Sequence, residues 1–179
     1  MRAADLLTLP RRELHRLLLG GHRIDPRALD DSAYRGVSLG LPRWVERLTW
    51  KTFQKTFHRD PQSGRLRGWN VRLIQTGLDG PIVPRQRRGR PFTFGHYEVV
   101  DDAKGPGLLL DYRRGGNPHF DLSALVVDPL VALHADDPTL LLGWSCVALG
   151  GLRLPSPSYF TLERLGPLID LVAPPRRPR

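Results

Sequence analysis

The second half of the chain alternates short apolar runs with turn residues. The runs are rich in branched and aromatic residues, and clusters of Gly, Pro, Asn and Asp separate them; they lie at 93–100, 108–112, 128–134, 139–149 and 158–164. Runs of this length with such boundaries are typical of antiparallel strands joined by tight turns. The pattern predicts a mainly β protein whose antiparallel meander closes into a lipocalin-like β-barrel.

The N-terminal segment has a different period. Leu14, Leu17 and Leu18 fall on one face of a helix, which Pro10 can begin and Gly20-Gly21 can end. We therefore expect residues 1–32 to be a helical segment at the start of the barrel domain, followed by a first strand.

Residues 49–75 predict a β-hairpin. Phe53 and Phe57 share a face in a helix and in a strand alike, so their spacing does not decide. The turn sequence at 60–64 and the polar–apolar alternation after it favour two strands. We expect a short helical piece at 42–48 and a long basic loop at 81–91.

One strand has two apolar faces. In residues 140–149 both alternating positions are apolar, whereas a strand with one side in water alternates cleanly. One face is expected to point into the barrel lumen, and the other to lie under the N-terminal helix or a partner subunit, as in a homodimer. Small barrels either fill their interior with side chains or enclose one small ligand, and the pattern leaves both open.

Length and composition indicate one domain. A chain of 179 residues can bury one core, so we expect a single domain over 1–172 and a disordered Pro/Arg-rich tail over 173–179. The N-terminus lacks the apolar centre of a secretory signal, and no stretch has the length of a membrane span. The lone Cys146 lies in an apolar run, so we expect it to pack in the core as a small hydrophobic residue. These features favour a cytoplasmic location.

The excess of basic residues behind the net charge of +9 is concentrated in the first 100 residues. Residues 1–100 carry 19 Lys and Arg against 9 Asp and Glu, and residues 101–179 carry 8 against 9. Arg85, Arg87, Arg88 and Arg90 form one cluster of the excess. Closely spaced guanidinium groups suit phosphates, so this cluster is the alternative functional hypothesis, a site for nucleic acid or an anionic partner. Because this cluster lacks interleaved aromatic residues and any RNA-binding signature, we favour a solvated loop over a nucleic-acid site.

Several short motifs are similar to a pattern in uncharacterised bacterial proteins related to the Gly-X-Trp-X-Gly-type calycin domains. They are Trp50-Lys51-Thr52-Phe53, Leu109-Leu110-Asp111-Tyr112, Val127-Asp128-Pro129-Leu130-Val131, Leu141-Leu142-Gly143 and Tyr159-Phe160-Thr161-Leu162-Glu163-Arg164. The resemblance covers most of residues 34–164. It implies an up-and-down lipocalin-like barrel able to hold an apolar small molecule, and it supplies no established enzymatic activity to carry over.

The leading functional hypothesis is binding or carriage of a small apolar or lipid-like ligand in the barrel, without chemistry and without a cofactor. Polar groups at a barrel mouth orient a ligand whose bulk lies among apolar walls, and aromatic side chains can line such a cavity. The residues predicted to bind the ligand are Trp50, Trp69, Asn70, His96, Tyr97, Asp111, Tyr112, Asn117 and Trp144.

A second alternative is a small-molecule isomerase or cyclase. It would use His96 and Asp111 as acid and base, and it requires both side chains to face one pocket. No nucleophile elbow surrounds Ser156 or Ser158, and the histidines lack metal-type spacing, so neither catalytic residues nor a metal site are predicted.

Overall fold

The structure is a computed structural model that describes residues 1–40, 51–118, 120–150 and 152–175. Eight antiparallel strands close into one barrel: β1 (Ser32–Leu39), β2 (Thr52–Arg59), β3 (Leu66–Arg72), β6 (Thr93–Asp101), β7 (Leu108–Asp111), β8 (Val126–His134), β9 (Asp137–Leu149) and β10 (Leu152–Pro167). Around the barrel these strands follow the order β1-β10-β9-β8-β7-β6-β3-β2. The predicted mainly β fold, an antiparallel barrel preceded in sequence by an N-terminal helix, is confirmed.

The hairpin predicted from residues 49–75 is present as β2 and β3, which pair in an unbroken register from Phe53–Arg72 to Arg59–Leu66. The predicted basic loop is not entirely a loop. It contains a two-stranded ribbon of β4 (Gln86–Arg87) and β5 (Arg90–Pro91). Arg88 and Gly89 turn the ribbon with φ of 54° and 73°, the left-handed values that tight two-residue hairpins require. The helical piece expected at 42–48 lies outside the described residues.

Two helices cover the outside of the barrel wall. They are α1 (Ala3–Leu6) and α2 (Arg11–Leu19), and α2 ends at Gly20. Leu14 and Leu18 of α2 pack against Leu142, one of the outward positions of β9. Helix α2 therefore covers the outer apolar face of residues 140–149, as the sequence pattern predicted.

A 3₁₀ turn closes one end of the barrel. The turn Pro26–Leu29 begins at Asp25, whose side chain accepts a hydrogen bond of 2.9 Å from the Arg27 backbone N–H. Leu29 is fully buried and joins the lumen core together with Ile24. We call this end the closed end, and we call the opposite end the mouth.

The C-terminal segment returns along the outer wall after β10. The Leu168 N–H donates to the Asp31 carbonyl at 2.8 Å, and Arg67 Nη1 donates to the Val172 carbonyl at 2.9 Å. Residues 168–172 therefore remain attached to the barrel. Residues 176–179 of the predicted tail lie outside the described residues.

Candidate functional site

A cavity of about 190 Å³ occupies the mouth half of the lumen. Its lining is divided between apolar rings and small or charged polar side chains; it consists of Ser38, Phe53, Lys55, Asn70, Phe94, Tyr112, Ser123, Val126, Asp128, Ser145, Ser158 and Phe160. Below it, the closed half of the lumen is filled by buried apolar side chains. The barrel interior is therefore neither uniformly solid nor uniformly hollow.

The floor of the cavity carries a lysine. The Lys55 side chain is only 2% exposed, and its Nζ donates to Asn70 Oδ1 at 3.0 Å and to the Tyr112 hydroxyl at 2.6 Å. The same Nζ lies 3.6 Å from Asp128 Oδ2. Buried lysines are rare unless they are paired, so these partners explain how the ammonium is kept in the lumen.

The partner carboxylate is equally buried. The Asp128 side chain is 2% exposed, and its Oδ2 accepts a hydrogen bond of 2.8 Å from the Tyr112 hydroxyl. Its other oxygen, Oδ1, makes no hydrogen bond of acceptable geometry among the described residues, although the nearby Ser145 hydroxyl still helps to lower the pKa of Asp128. The buried Ser123 hydroxyl also lacks a described partner, and Ser123 lines the same cavity. Buried polar atoms are almost always satisfied, so these two atoms mark a place where another molecule can bond.

Burial shifts the ionisation of this cluster. It lowers the pKa of Lys55 to about 8, although the Asp128 carboxylate acts in the opposite direction. Burial raises the pKa of Asp128 and outweighs the lowering effects of Lys55, Tyr112 and Ser145. Burial, followed by the charge of Asp128, raises the pKa of Tyr112 well above its ordinary value. At neutral pH the cluster therefore holds a neutral phenol, and burial shifts both Lys55 and Asp128 toward their uncharged forms.

Aromatic rings surround the ammonium. Lys55 Nζ lies 4.8 Å from the ring centroid of Tyr97, 4.9 Å from that of Phe160 and 5.2 Å from that of Tyr112. Phe53 lies farther away at 5.8 Å. Ring faces attract a cation within about 6 Å and also exclude water, so the floor combines charge with a dry environment.

Four elements from different parts of the barrel wall position the cluster. Lys55 and Asn70 are direct partners across β2 and β3, and Asp128 lies on the inward face of β8. Tyr112 comes from the 3₁₀ turn Tyr112–Arg114 that follows β7. Gly95, at φ 51°, makes room for the cluster, because a Cβ there would lie 2.9 Å from both Asn70 Nδ2 and the Tyr112 ring.

Three of the nine predicted ligand-binding residues belong to this region. Asn70 and Tyr112 line the cavity. Tyr97 lies in the lumen below Lys55, and its hydroxyl donates to the Thr56 carbonyl at 2.7 Å. These three side chains are therefore brought together by the fold.

Other predicted residues lie on the outer wall. His96 is buried, and its ring stacks on Trp69 with centroids 6.1 Å apart. Burial, assisted by the charge of Arg67, lowers the pKa of His96 to about 4. The Asn117 side-chain amide is occupied with backbone groups, since it accepts from the His96 N–H at 2.8 Å and donates to the His96 carbonyl at 2.7 Å.

Trp144 is also outside the lumen. Its ring stacks on Tyr159 at a centroid distance of 5.7 Å beside His15 of α2, and its indole N–H donates to the Ser156 carbonyl at 2.8 Å. Trp144 therefore joins the barrel wall to the helical cover. Trp50 lies outside the described residues.

The two residues of the enzyme alternative do not face the cavity. Asp111 points outward, where Oδ2 accepts from Arg113 Nη2 at 2.7 Å and lies 3.5 Å from Arg114 Nε. His96 faces a separate recess of about 50 Å³ on the outer wall. Their placement gives no support to acid–base chemistry by this pair. Within the described residues, no group of three or more His, Cys, Asp or Glu side chains could hold a metal ion.

The sequence analysis missed Lys55 and Asp128 as candidate site residues. One signal was present, because Lys55 alternates with Phe53 and Phe57, and Asp128 alternates with Val126 and Leu130, all on inward faces. A charge at an inward position of each of two strands predicts a buried pair once the lumen face is known. Which two strands face each other across a barrel is not readable from such periodicity.

The ribbon of β4 and β5, here called the basic ribbon, is a second candidate binding surface because it carries several arginines. Arg85, Arg87, Arg88 and Arg90 are exposed, and none forms an ion pair with an acidic residue in the described part of the chain. The Arg87 guanidinium lies 5.5 Å from the ring centroid of Phe92. Within the described residues, the ribbon thus presents positive charge without an acidic partner on a two-stranded support.

Comparison with known proteins gives little further guidance. No protein-family model matches the chain, and no solved structure matches it significantly, so membership of the calycin family is not established. The chain is similar to the transcriptional regulator LdrP of Thermus thermophilus, with 30% identity over 98 residues. These residues make up 52% of this chain and 47% of that protein. The chain therefore spans about half the length of the curated relative it matches.

None of the helices in the described ranges has both the length and the apolar character to cross a bilayer.

Proposed function

We propose that this protein binds a small, uncharged and largely apolar molecule with one hydrogen-bond donor in the mouth cavity of the barrel. The observation that carries the proposal is that two buried atoms on the cavity lining, Asp128 Oδ1 and the Ser123 hydroxyl, make no hydrogen bond of acceptable geometry within the described residues. A carboxylate oxygen only accepts, so the group that satisfies it must donate, as the O–H of an alcohol or phenol does.

The volume of the mouth cavity limits the size of the ligand. A dry cavity of about 150 Å³ accepts benzene, and drug-sized ligands occupy about 300–1,000 Å³. The cavity of about 190 Å³ therefore suits a molecule with one ring or a short branched chain. A long acyl chain exceeds it, so within the expected class of apolar and lipid-like ligands we propose the small members.

The charge distribution supports a neutral ligand. Lys55 and Asp128 compensate each other at 3.6 Å, so a charged ligand would bring an uncompensated charge into a space with four aromatic rings. Burying an isolated charge is far more costly than burying a hydroxyl that finds an acceptor. Phe53, Phe94 and Phe160 then contact the apolar body of the ligand.

Phenol and toluene are matched probes, because they have the same size and differ in one O–H group. We expect titration followed by protein NMR to show phenol binding about 10- to 100-fold more tightly, the range of one hydrogen bond to a charged group. Equal affinity for the two probes contradicts the role of Asp128. Absence of binding by both contradicts the proposed function.

Val126→Phe tests the location, because Val126 lines the cavity and the larger ring occupies part of it. We expect this variant to lose phenol binding. Val83→Phe is the matched control, since Val83 lies on the surface with 38% exposure. Loss of binding in both variants, or in neither, is not compatible with binding inside the barrel. Native mass spectrometry of the purified protein is expected to show a co-purifying small molecule.

The second candidate function is binding of nucleic acid through the basic ribbon. The specific observation is the exposure of Arg85, Arg87, Arg88 and Arg90 without described acidic partners on a two-stranded β-ribbon. Ribbons of this kind can enter a DNA groove, and guanidinium groups contact phosphates. The similarity to half of a transcriptional regulator is compatible with this candidate.

Replacing the four ribbon arginines by Ala is expected to remove salt-dependent retention on duplex DNA. Each lost phosphate contact reduces the slope of log K against log salt by about 0.9. Replacement of Arg2, Arg12, Arg23 and Arg27 is the control, because these exposed residues change the net charge equally. Similar loss in both variants indicates attraction by net charge alone and removes the ribbon as a specific site.

A further inference from the structure

We propose that Lys55 forms a reversible imine with a small aldehyde or ketone that occupies the mouth cavity. This inference rests on the proposed function in one respect, since it requires that a small molecule enters this cavity. It assigns the site a covalent step and adds carbonyl compounds to the class of ligands.

The position of the amine supports the proposal. Lys55 lies on the cavity lining, so a carbonyl carbon inside the cavity can approach its Nζ. The four rings within 5.8 Å of Nζ keep the surroundings dry. A desolvated lysine is a stronger nucleophile than one in water, because more of it is unprotonated near neutral pH.

The neighbours provide a path for the proton that the amine must release. Tyr112 bridges the pair, since its hydroxyl lies 2.6 Å from Lys55 Nζ and 2.8 Å from Asp128 Oδ2. When the hydroxyl passes its proton to the carboxylate and accepts one from the ammonium, the result is a neutral amine and a neutral carboxylic acid. The lowered pKa of Lys55 and the raised pKa of Asp128 both favour this transfer.

The step is a condensation without oxidation or reduction. The Nζ lone pair attacks the carbonyl carbon, a C–N bond forms, and the carbonyl π electrons move to oxygen; one proton then passes from the nitrogen to this oxygen to give a carbinolamine. Its hydroxyl leaves with a proton from Asp128 as one water molecule, and a C=N bond remains. In total, a carbonyl and an ammonium give a protonated imine and water, and the imine keeps the Asp128 carboxylate as its counter-ion.

The composition of the chain agrees with a need for lysine at this position. The sequence contains 24 Arg and only three Lys, which are Lys51, Lys55 and Lys104. Among the described residues, Lys55 is the one lysine that lines the lumen cavity. A guanidinium does not lose its proton in proteins and cannot form an imine in this way, whereas an ammonium can.

The experiment uses benzaldehyde as the probe and cyanoborohydride to reduce any imine to a stable amine. Peptide mapping by mass spectrometry then reports the labelling rate at each lysine of the wild-type protein. We expect Lys55 to be labelled at least about tenfold faster than the exposed Lys104, because desolvation activates the cavity amine. This measurement requires no variant, so loss of folding in a mutant cannot obscure it.

Tyr112→Phe tests the proton path while keeping the ring. We expect it to slow labelling of Lys55 and to move the pH of maximal labelling upward, whereas labelling of Lys104 remains unchanged. Lys55→Arg is expected to abolish the cavity label. An unchanged pH profile in Tyr112→Phe overturns the role of Tyr112 as a proton relay.

The outcomes separate this inference from the proposed function. If phenol binds but benzaldehyde labels Lys55 no faster than Lys104, the imine inference is overturned and the binding function stands. If Lys55 is labelled rapidly but phenol neither binds nor protects it, the imine inference stands and recognition of a donor group is overturned. If phenol protects Lys55 from a rapid label, both are supported.

Discussion

The two halves of the barrel lumen are built from the same eight strands, yet one is filled and the other holds a cavity. At the closed end, large inward side chains such as Tyr34, Phe57, Leu110 and Leu130 are fully buried against one another. At the mouth, serines occupy inward positions of three strands, at Ser38, Ser145 and Ser158.

The difference shows that side-chain size, and not strand number, decides whether a small barrel is hollow. Where small residues replace large ones, the rings of Phe53 and Phe160 cannot close the space alone. Lys55 and Asp128 lie at the boundary between the halves, where both side chains are buried and both line the cavity. The mouth is therefore packed less densely than the closed end, which contributes more of the buried apolar contacts.

The largest test of this contrast removes one partner of the ion pair at a time. Lys55→Met and Asp128→Leu each leave an uncompensated buried charge, and we expect either change to lower the free energy of unfolding by about 3–5 kcal/mol. The double variant, which removes both charges, is expected to be clearly more stable than either single variant. Urea denaturation followed by circular dichroism measures all four proteins.

If the double variant loses the sum of the two single losses, Lys55 and Asp128 do not interact and the central pair of the site is refuted. Leu162→Ala, at a fully buried position of the closed half, serves as a control because its effect is expected to add independently.

The second test compares two apolar truncations. Leu130→Ala removes a fully buried side chain from the closed end and is expected to cost about 2–5 kcal/mol through lost contacts and a new void. Val126→Ala, beside the existing cavity, is expected to cost only about 1 kcal/mol, because fewer contacts are lost there. Denaturation midpoints distinguish the two. Equal losses would mean that the mouth is packed as tightly as the closed end.

The sequence predicted the filled half of the molecule better than the site. Period-two alternation of large apolar residues identifies strands, and the turn at 60–64 identifies the β2–β3 hairpin. These are local signals. The helical segment and its stop at Gly20 are local as well, and the structure contains both.

The site could not be predicted in the same way, because it depends on which strands are opposite one another. Lys55 meets Asp128 only because closure of the barrel brings β2 and β8 to the same lumen. His96 and Asp111 illustrate the converse. Both are titratable and lie in strand-like runs, but their alternation places them on the outer wall, and only the register decides which face that is.

The third test concerns pH. Because burial lowers the pKa of Lys55 from 10.5 to about 8, the unfolded chain binds more protons than the folded one between these values. The free energy of unfolding of the wild type should therefore rise from pH 8 to pH 10, by about 1–2 kcal/mol, relative to the Lys55→Met/Asp128→Leu double variant. Above pH 10 the raised pKa of Tyr34, about 12, acts in the opposite direction, because the folded chain then retains more protons; this contribution is the same in both proteins and cancels in the comparison.

A direct reading of the same shift comes from NMR of isotope-labelled lysine, since the chain has only three lysine signals. We expect the signal that disappears in Lys55→Met to titrate with a midpoint near pH 8. A midpoint near the ordinary value of 10.5 would show that the floor of the cavity is hydrated and would remove the contrast with the closed end.

The smallest effect comes from a matched pair of serines, one in each half. At the closed end, the Ser32 hydroxyl donates to the Leu29 carbonyl at 2.5 Å, so Ser32→Ala is expected to cost about 1 kcal/mol of unfolding free energy. At the mouth, the Ser123 hydroxyl has no described partner, so Ser123→Ala is expected to change stability by less than about 0.5 kcal/mol. The same Ser123 variant should weaken phenol binding, whereas Ser32→Ala should leave it unchanged. Equal stability losses for the two serines would show that the Ser123 hydroxyl forms a hydrogen bond within the folded chain and is not available to bind a ligand.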